Sequence, residues 1–94
     1  MMANPASLQA VIYGRVQGVF FRDFVVGCAR ELGLAGYVIN LTNGAVKVVA
    51  EGEREQLDRL VDRIKVGPPA ARVAEVVTKW GDYTGDYSGF VVRH

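Results

Sequence analysis

Gly14-Arg15-Val16-Gln17-Gly18-Val19-Phe20-Phe21-Arg22 joins the first alternating apolar run of the chain to its first helical pattern. A loop with Gly at both ends of its first half and an Arg where the helix begins is suited to an anion. The first turn of a helix has backbone N–H groups with no intrahelical partner and carries the positive end of the macrodipole, so both favour a phosphate at that end. Glycine lets the backbone turn inward and removes the Cβ that would hold a ligand away. An Arg in that turn opposes the dipole by itself and becomes well placed once an anion sits between them.

Working outward, Ser7 to Tyr13 alternates, with Leu8, Ala10 and Ile12 on one face, and predicts a strand. After the loop, Phe21, Phe24, Val25, Cys28, Ala29 and Leu32 recur at three- and four-residue spacing and predict an amphipathic helix that Gly33 ends. Tyr37 to Leu41 reads as a second strand. Asn43-Gly44 then signals a hairpin into a third strand, Ala45 to Glu51. A second helix is predicted from about Glu53 to Lys65, with Leu57, Leu60, Val61 and Ile64 inward and Gly67-Pro68-Pro69 as its stop. Val73 to Trp80 is a fourth strand and Phe90 to Arg93 a short fifth. The order βαββαβ with an extra C-terminal strand predicts an α/β (α+β) ferredoxin-like sandwich, with two helices on one face of a mainly antiparallel sheet. The expected core order is 4-1-3-2, with the fifth strand at an edge.

This topology draws Arg22 and Asn40 together. A strand–helix–strand crossover leaves the first two strands parallel, with their C-terminal ends at one edge of the sheet. The helix descends roughly 17 Å at ~1.5 Å per residue. The second strand climbs back ~13 Å from Gly36 to Asn40 at ~3.3 Å per residue. The Asn40 carboxamide is thus expected to face the same space as the loop amides and the Arg22 guanidinium.

The stretch Gly14-x-Val16-Gln17-Gly18-Val19-x-Phe21-Arg22 resembles the first signature of the acylphosphatases, small enzymes that hydrolyse the mixed anhydride of a carboxylic acid and phosphoric acid. Gly36-Tyr37-Val38-Ile39-Asn40-Leu41-Thr42-Asn43-Gly44-Ala45-Val46, closing with Gly52, is similar to the second. Gly67 to Val73 and Gly89-Phe90 extend the resemblance over almost the whole chain. The resemblance implies that Arg22 and the loop amides of Arg15, Val16, Gln17, Gly18, Val19 and Phe20 bind the phosphoryl group, and that Asn40 holds the attacking water. It implies hydrolysis of small acyl phosphates to carboxylate and inorganic phosphate, without metal or cofactor. The chemistry is consistent with this, because a carboxylate is a good leaving group and phosphoryl transfer is mostly positioning and electrostatic stabilisation. Two positions depart from the family pattern. Ile39 stands where many members have a basic residue, and Asn43 replaces a common Asp.

Ninety-four residues form one domain, 1–94, with residues 1–6 expected as a flexible N-terminal segment. A net charge of +1 leaves no electrostatic footprint for nucleic acid or an anionic membrane. One Cys and one His cannot build a structural zinc site or a disulfide framework. With no apolar run of spanning length and no signal peptide, a soluble, cytoplasmic monomer is expected. Taken singly, the residues also have plainer readings. Arg22 alone reads as a solvated helix-end residue and Asn40 as part of a turn. Cys28 reads as a packed thiol, His94 as solvated, Asp82 and Asp86 as turn formers, and Arg15, Arg72 and Arg93 as surface charges. Two other functions compete with the enzyme. A phosphoryl-binding module would keep the loop but has no need of Asn40, and a ferredoxin-like RNA-binding domain would need exposed sheet aromatics and a basic field.

Overall fold

Leu8, Ala10 and Ile12 are fully buried, as are Val46, Val48 and Ala50 opposite them, so the period-two pattern turns one sheet face toward the core. Helix residues Phe21, Val25, Cys28 and Ala29, together with Leu57, Leu60, Val61 and Ile64, complete one hydrophobic cluster on that face. Burial of each large side chain contributes about 1.5–3 kcal/mol. A computed structural model describes residues 2–94, with β1 at Pro5–Arg15, α1 at Phe21–Glu31, β2 at Ala35–Asn40, β3 at Val46–Glu53, α2 at Arg54–Val66, β4 at Arg72–Gly81 and β5 at Phe90–Arg93. The strands form one sheet in the order β4-β1-β3-β2-β5, antiparallel except where β5 runs parallel to β2 at the edge. This is the ferredoxin-like α+β sandwich expected from the element order.

Both ends of β1 extend beyond the expected strand. Pro5 and Ala6 pair with Glu53 and Gly52. The Ala3 and Asn4 N–H groups donate to the Glu53 carboxylate at 3.1 and 2.8 Å, and the Asn4 carbonyl accepts from the Arg54 N–H at 3.0 Å. Residues 3–6 thus have partners at the β3–α2 corner, because β3 runs on to Glu53 and meets their backbone groups. Met1 lies outside the described residues. At its other end β1 passes through a bulge at Tyr13/Gly14 and continues to Arg15 beside β4. Gly14 has φ +127, and a Cβ there would lie 2.1 Å from the Arg72 carbonyl oxygen. Its glycine thus serves close strand pairing, and the loop begins two residues later than the sequence pattern implies.

The elements that frame the site are fixed by short-range chemistry. After α1, the Gly33 N–H donates to the Arg30 carbonyl and the Leu34 N–H to the Ala29 carbonyl, which turns the chain into β2. In the β2–β3 turn the Asn43 carboxamide oxygen accepts from the Ala45 N–H at 3.0 Å, so Asn replaces Asp there without loss of the turn bond. Arg30 donates twice to the Phe90 carbonyl, at 3.1 and 3.0 Å, and pins β5 against α1. The β4–β5 loop is anchored by Glu51, whose buried carboxylate accepts from the Thr84 hydroxyl and from the Thr84 and Gly85 N–H groups. Burial pushes this carboxyl up, but donors from Thr84, Gly85 and Ser7 outweigh burial and hold it below its ordinary value of 4.5. Among the described residues no helix is long and apolar enough to cross a membrane.

Candidate active site

The β1–α1 connection turns through the left-handed region at Gly18, φ +71, and again at Phe20, φ 61. Turns of this kind gather successive N–H groups into anion-binding concavities. Phe20 is the N-cap of α1 and provides no side-chain cap, so the first-turn N–H groups remain open to a ligand. The resulting cleft encloses about 420 Å3. Val16, Gly18 and Phe20 line it from the connection, and Phe21, Arg22 and Asp23 from the first turn of α1. Asn40 closes it from the end of β2, and Val92 and His94 do so from β5 and the residue after it.

Of the residues expected to bind phosphate, the structure thus gathers Val16, Gly18, Phe20 and Arg22, with Asn40 facing them. Arg15, Gln17 and Val19 do not line the cleft. Arg15 sits at the end of β1 opposite Arg72, and the Val19 side chain belongs to the core. Gln17 turns its carboxamide away and donates to the Leu41 and Ala45 carbonyls, at 2.8 and 2.9 Å. Those two bonds clamp the connection to the turn that follows Asn40, which sets the spacing between the two halves of the site.

Arg22 is half-buried. The three ion pairs among the described residues use Arg54, Arg59 and Arg63, none of them near the cleft. A cation at the positive end of a helix dipole with no acid paired to it leaves a local positive field. The Oδ1 of Asn40 is buried, and no donor among the described residues meets it. Leaving such an acceptor unsatisfied costs about 1–3 kcal/mol. Rotation about χ2, which is soft for Asn, exchanges the two ends of the carboxamide and can present the oxygen to the cleft. The fold thus leaves this acceptor without a protein partner among the described residues.

Three lining residues are not apparent from the sequence. His94 is exposed, as expected, but it also lines the cleft. The parallel register that places Arg93 beside Ile39 carries His94 and Val92 toward Asn40. A four-residue strand gives too little periodicity to reveal which neighbour it chooses. Asp23 is also present, as acidic residues in first turns commonly are. Cys28 packs in the core cluster as expected.

The acylphosphatase family model matches residues 8–92. An acylphosphatase of Dehalococcoides mccartyi strain CBDB1 is 49% identical over 88 residues, which cover 93% of this chain and 97% of the relative. Among solved structures, the acylphosphatase from Bacillus subtilis superposes with a TM-score of 0.92 at 31% identity, covering 95% of this chain and 99% of the other. The acylphosphatase from Coxiella burnetii has a TM-score of 0.90 at 42% identity, covering 96% and 94%.

Proposed function

The chain belongs to the acylphosphatase family and carries that family's enzymatic activity; on that premise we propose that the cleft hydrolyses small acyl phosphates with Arg22 and the connection amides holding the phosphoryl group and Asn40 positioning the water. The observation that carries this reading is that Asn40, whose buried Oδ1 meets no donor among the described residues, lines the same cleft as Gly18 and Arg22. In the bound state the guanidinium and the N–H groups of the connection after β1, Val16 to Phe20, with those of the first turn of α1, neutralise the equatorial oxygens. Asn40 accepts a hydrogen bond from the water and aims its oxygen at phosphorus. As the new P–O bond forms, the P–O bond to the acyl group breaks and its electron pair leaves on the carboxylate. Both protons of the water end on phosphate, so an acyl phosphate dianion and water give a carboxylate and dihydrogen phosphate. The carboxylate needs no strong acid to depart, and a cationic cradle of this kind makes a metal unnecessary.

Retention of an Asn that anion binding does not need favours turnover over a phosphoryl-binding module. The protein is read as a cytoplasmic monomer acting on small molecules, with no nucleic-acid or membrane partner. Acetyl phosphate hydrolysis, measured with and without excess chelator, tests the proposal. The expected result is turnover unaffected by chelator and competitive inhibition by inorganic phosphate, because product and substrate share the cradle. Activity that disappears in chelator and returns with added metal contradicts it.

A further inference from the structure

Phe20 is 79% exposed while lining the cleft, and its backbone sits at φ 61. The left-handed region is disfavoured for a bulky side chain, and an exposed ring returns little hydrophobic stabilisation to the fold. The other large exposed hydrophobic residues, Val66 and Val77 among them, lie outside the cleft. Within it, Val16 and Phe21 are each only 1% exposed and serve the core. Phe20 is therefore a large apolar surface held at the mouth of the cleft with no structural use.

The substrate gives that surface a ligand. Once its phosphoryl group is held by Arg22 and the connection amides, the acyl group has to lie outside that cradle, and Phe20 is the large exposed apolar side chain among the residues that line the cleft. We propose that the Phe20 ring is the contact for the acyl group, and that it directs the enzyme toward acyl phosphates with aromatic or bulky apolar acyl chains. This rests on the acyl phosphate reading above. The backbone N–H of Phe20 and its ring have separate tasks, one toward the phosphoryl group and one toward the acyl group.

The test compares kcat/KM for benzoyl phosphate and acetyl phosphate in the parent, Phe20→Ala and Phe20→Leu, with inorganic phosphate inhibition measured in each. The parent is expected to prefer benzoyl phosphate. In Phe20→Ala the benzoyl-to-acetyl ratio should fall about tenfold, the size of one aromatic contact, chiefly through KM. Phe20→Leu should fall between the two, and it supplies the ratio if the Ala variant folds poorly. A ratio unchanged in both variants, with acetyl phosphate still hydrolysed and phosphate still inhibitory, overturns the acyl contact and leaves the catalytic reading standing. A folded parent that hydrolyses neither substrate overturns both.

Discussion

Asn40 and Glu51 lie at opposite ends of the β2–β3 ladder, where Asn40 pairs with Val46 and Glu51 with Ala35. Five ladder steps separate them, roughly 17 Å at ~3.3 Å per residue. Glu51 is 2% exposed, and its carboxylate is met by the Thr84 hydroxyl at 2.9 Å and by the N–H groups of Thr84 and Gly85 at 3.1 and 3.0 Å. Asn40 has a buried oxygen that no donor among the described residues meets. One end of the ladder uses a polar group to hold a loop and saturates it, whereas the other leaves a buried polar atom unbonded on the cleft that Arg22, in no ion pair among the described residues, also lines. Buried polar atoms that maintain a fold are almost always bonded, so the unbonded one is where the proposed chemistry is placed.

Arg22→Gln breaks the open end most severely. With Arg22 holding the phosphoryl group as proposed, the change removes charge-assisted bonds in both ground and transition states, so turnover should be abolished and phosphate binding weakened by roughly 1.5–3 kcal/mol per lost bond. Calorimetric titration with phosphate beside a turnover assay measures both, and unchanged phosphate affinity would remove Arg22 from the cradle. Gly18→Val acts through the backbone. At φ +71 a β-branched residue is strained, and the loss should be about 1–3 kcal/mol. Apart from its own chain neighbours, no atom of the described residues lies within 4 Å of the added Cβ, so the loss is strain and not a clash with the fold. A variant with the parent's phosphate affinity, turnover and urea midpoint would show that the connection does not need this conformation.

The satisfied end should respond in stability and not in catalysis. Glu51→Gln keeps the shape but replaces an anionic acceptor by a neutral one, at a cost of about 1–2 kcal/mol at neutral pH. Because the folded carboxyl titrates below its ordinary value of 4.5, its contribution is fully present above that value and is lost as pH falls through the lower folded value. Parent and variant should therefore differ in urea unfolding at neutral pH and converge in acid below 4.5. A difference that persists unchanged in acid would mean that the carboxylate's charge is not what anchors the Thr84 loop.

The fold is legible in the sequence because its signals are local and repeated. Leu8, Ala10 and Ile12 alternate, the two helical stripes are long, and Gly33, Asn43-Gly44 and Gly67-Pro68-Pro69 separate the elements. That Arg22 and Asn40 line one cleft follows from the crossover. Features set by tertiary partners are not visible there. The backbone of residues 3–6 finds Glu53 and Arg54 only once β3 is in place, and Gly14 is demanded by the approach of Arg72 on β4. The Gln17 clamp and the arrival of His94 depend on how the turn after β2 and the edge strand dock, which no spacing in the sequence encodes. Phe20 reads in sequence as one more apolar residue, and only its φ and exposure set it apart.

The division of labour between Arg22 and Asn40 is tested most directly by Asn40→Ala, with phosphate affinity by calorimetry and kcat measured on the same folded protein. Asn40 is assigned to the water and not to the phosphate, so kcat should fall by orders of magnitude, about 10²-fold or more, while phosphate affinity stays within about twofold of the parent. An Asn40→Ala protein that keeps its kcat contradicts the water-positioning role, and one that stays folded but loses phosphate binding places Asn40 in the anion cradle instead.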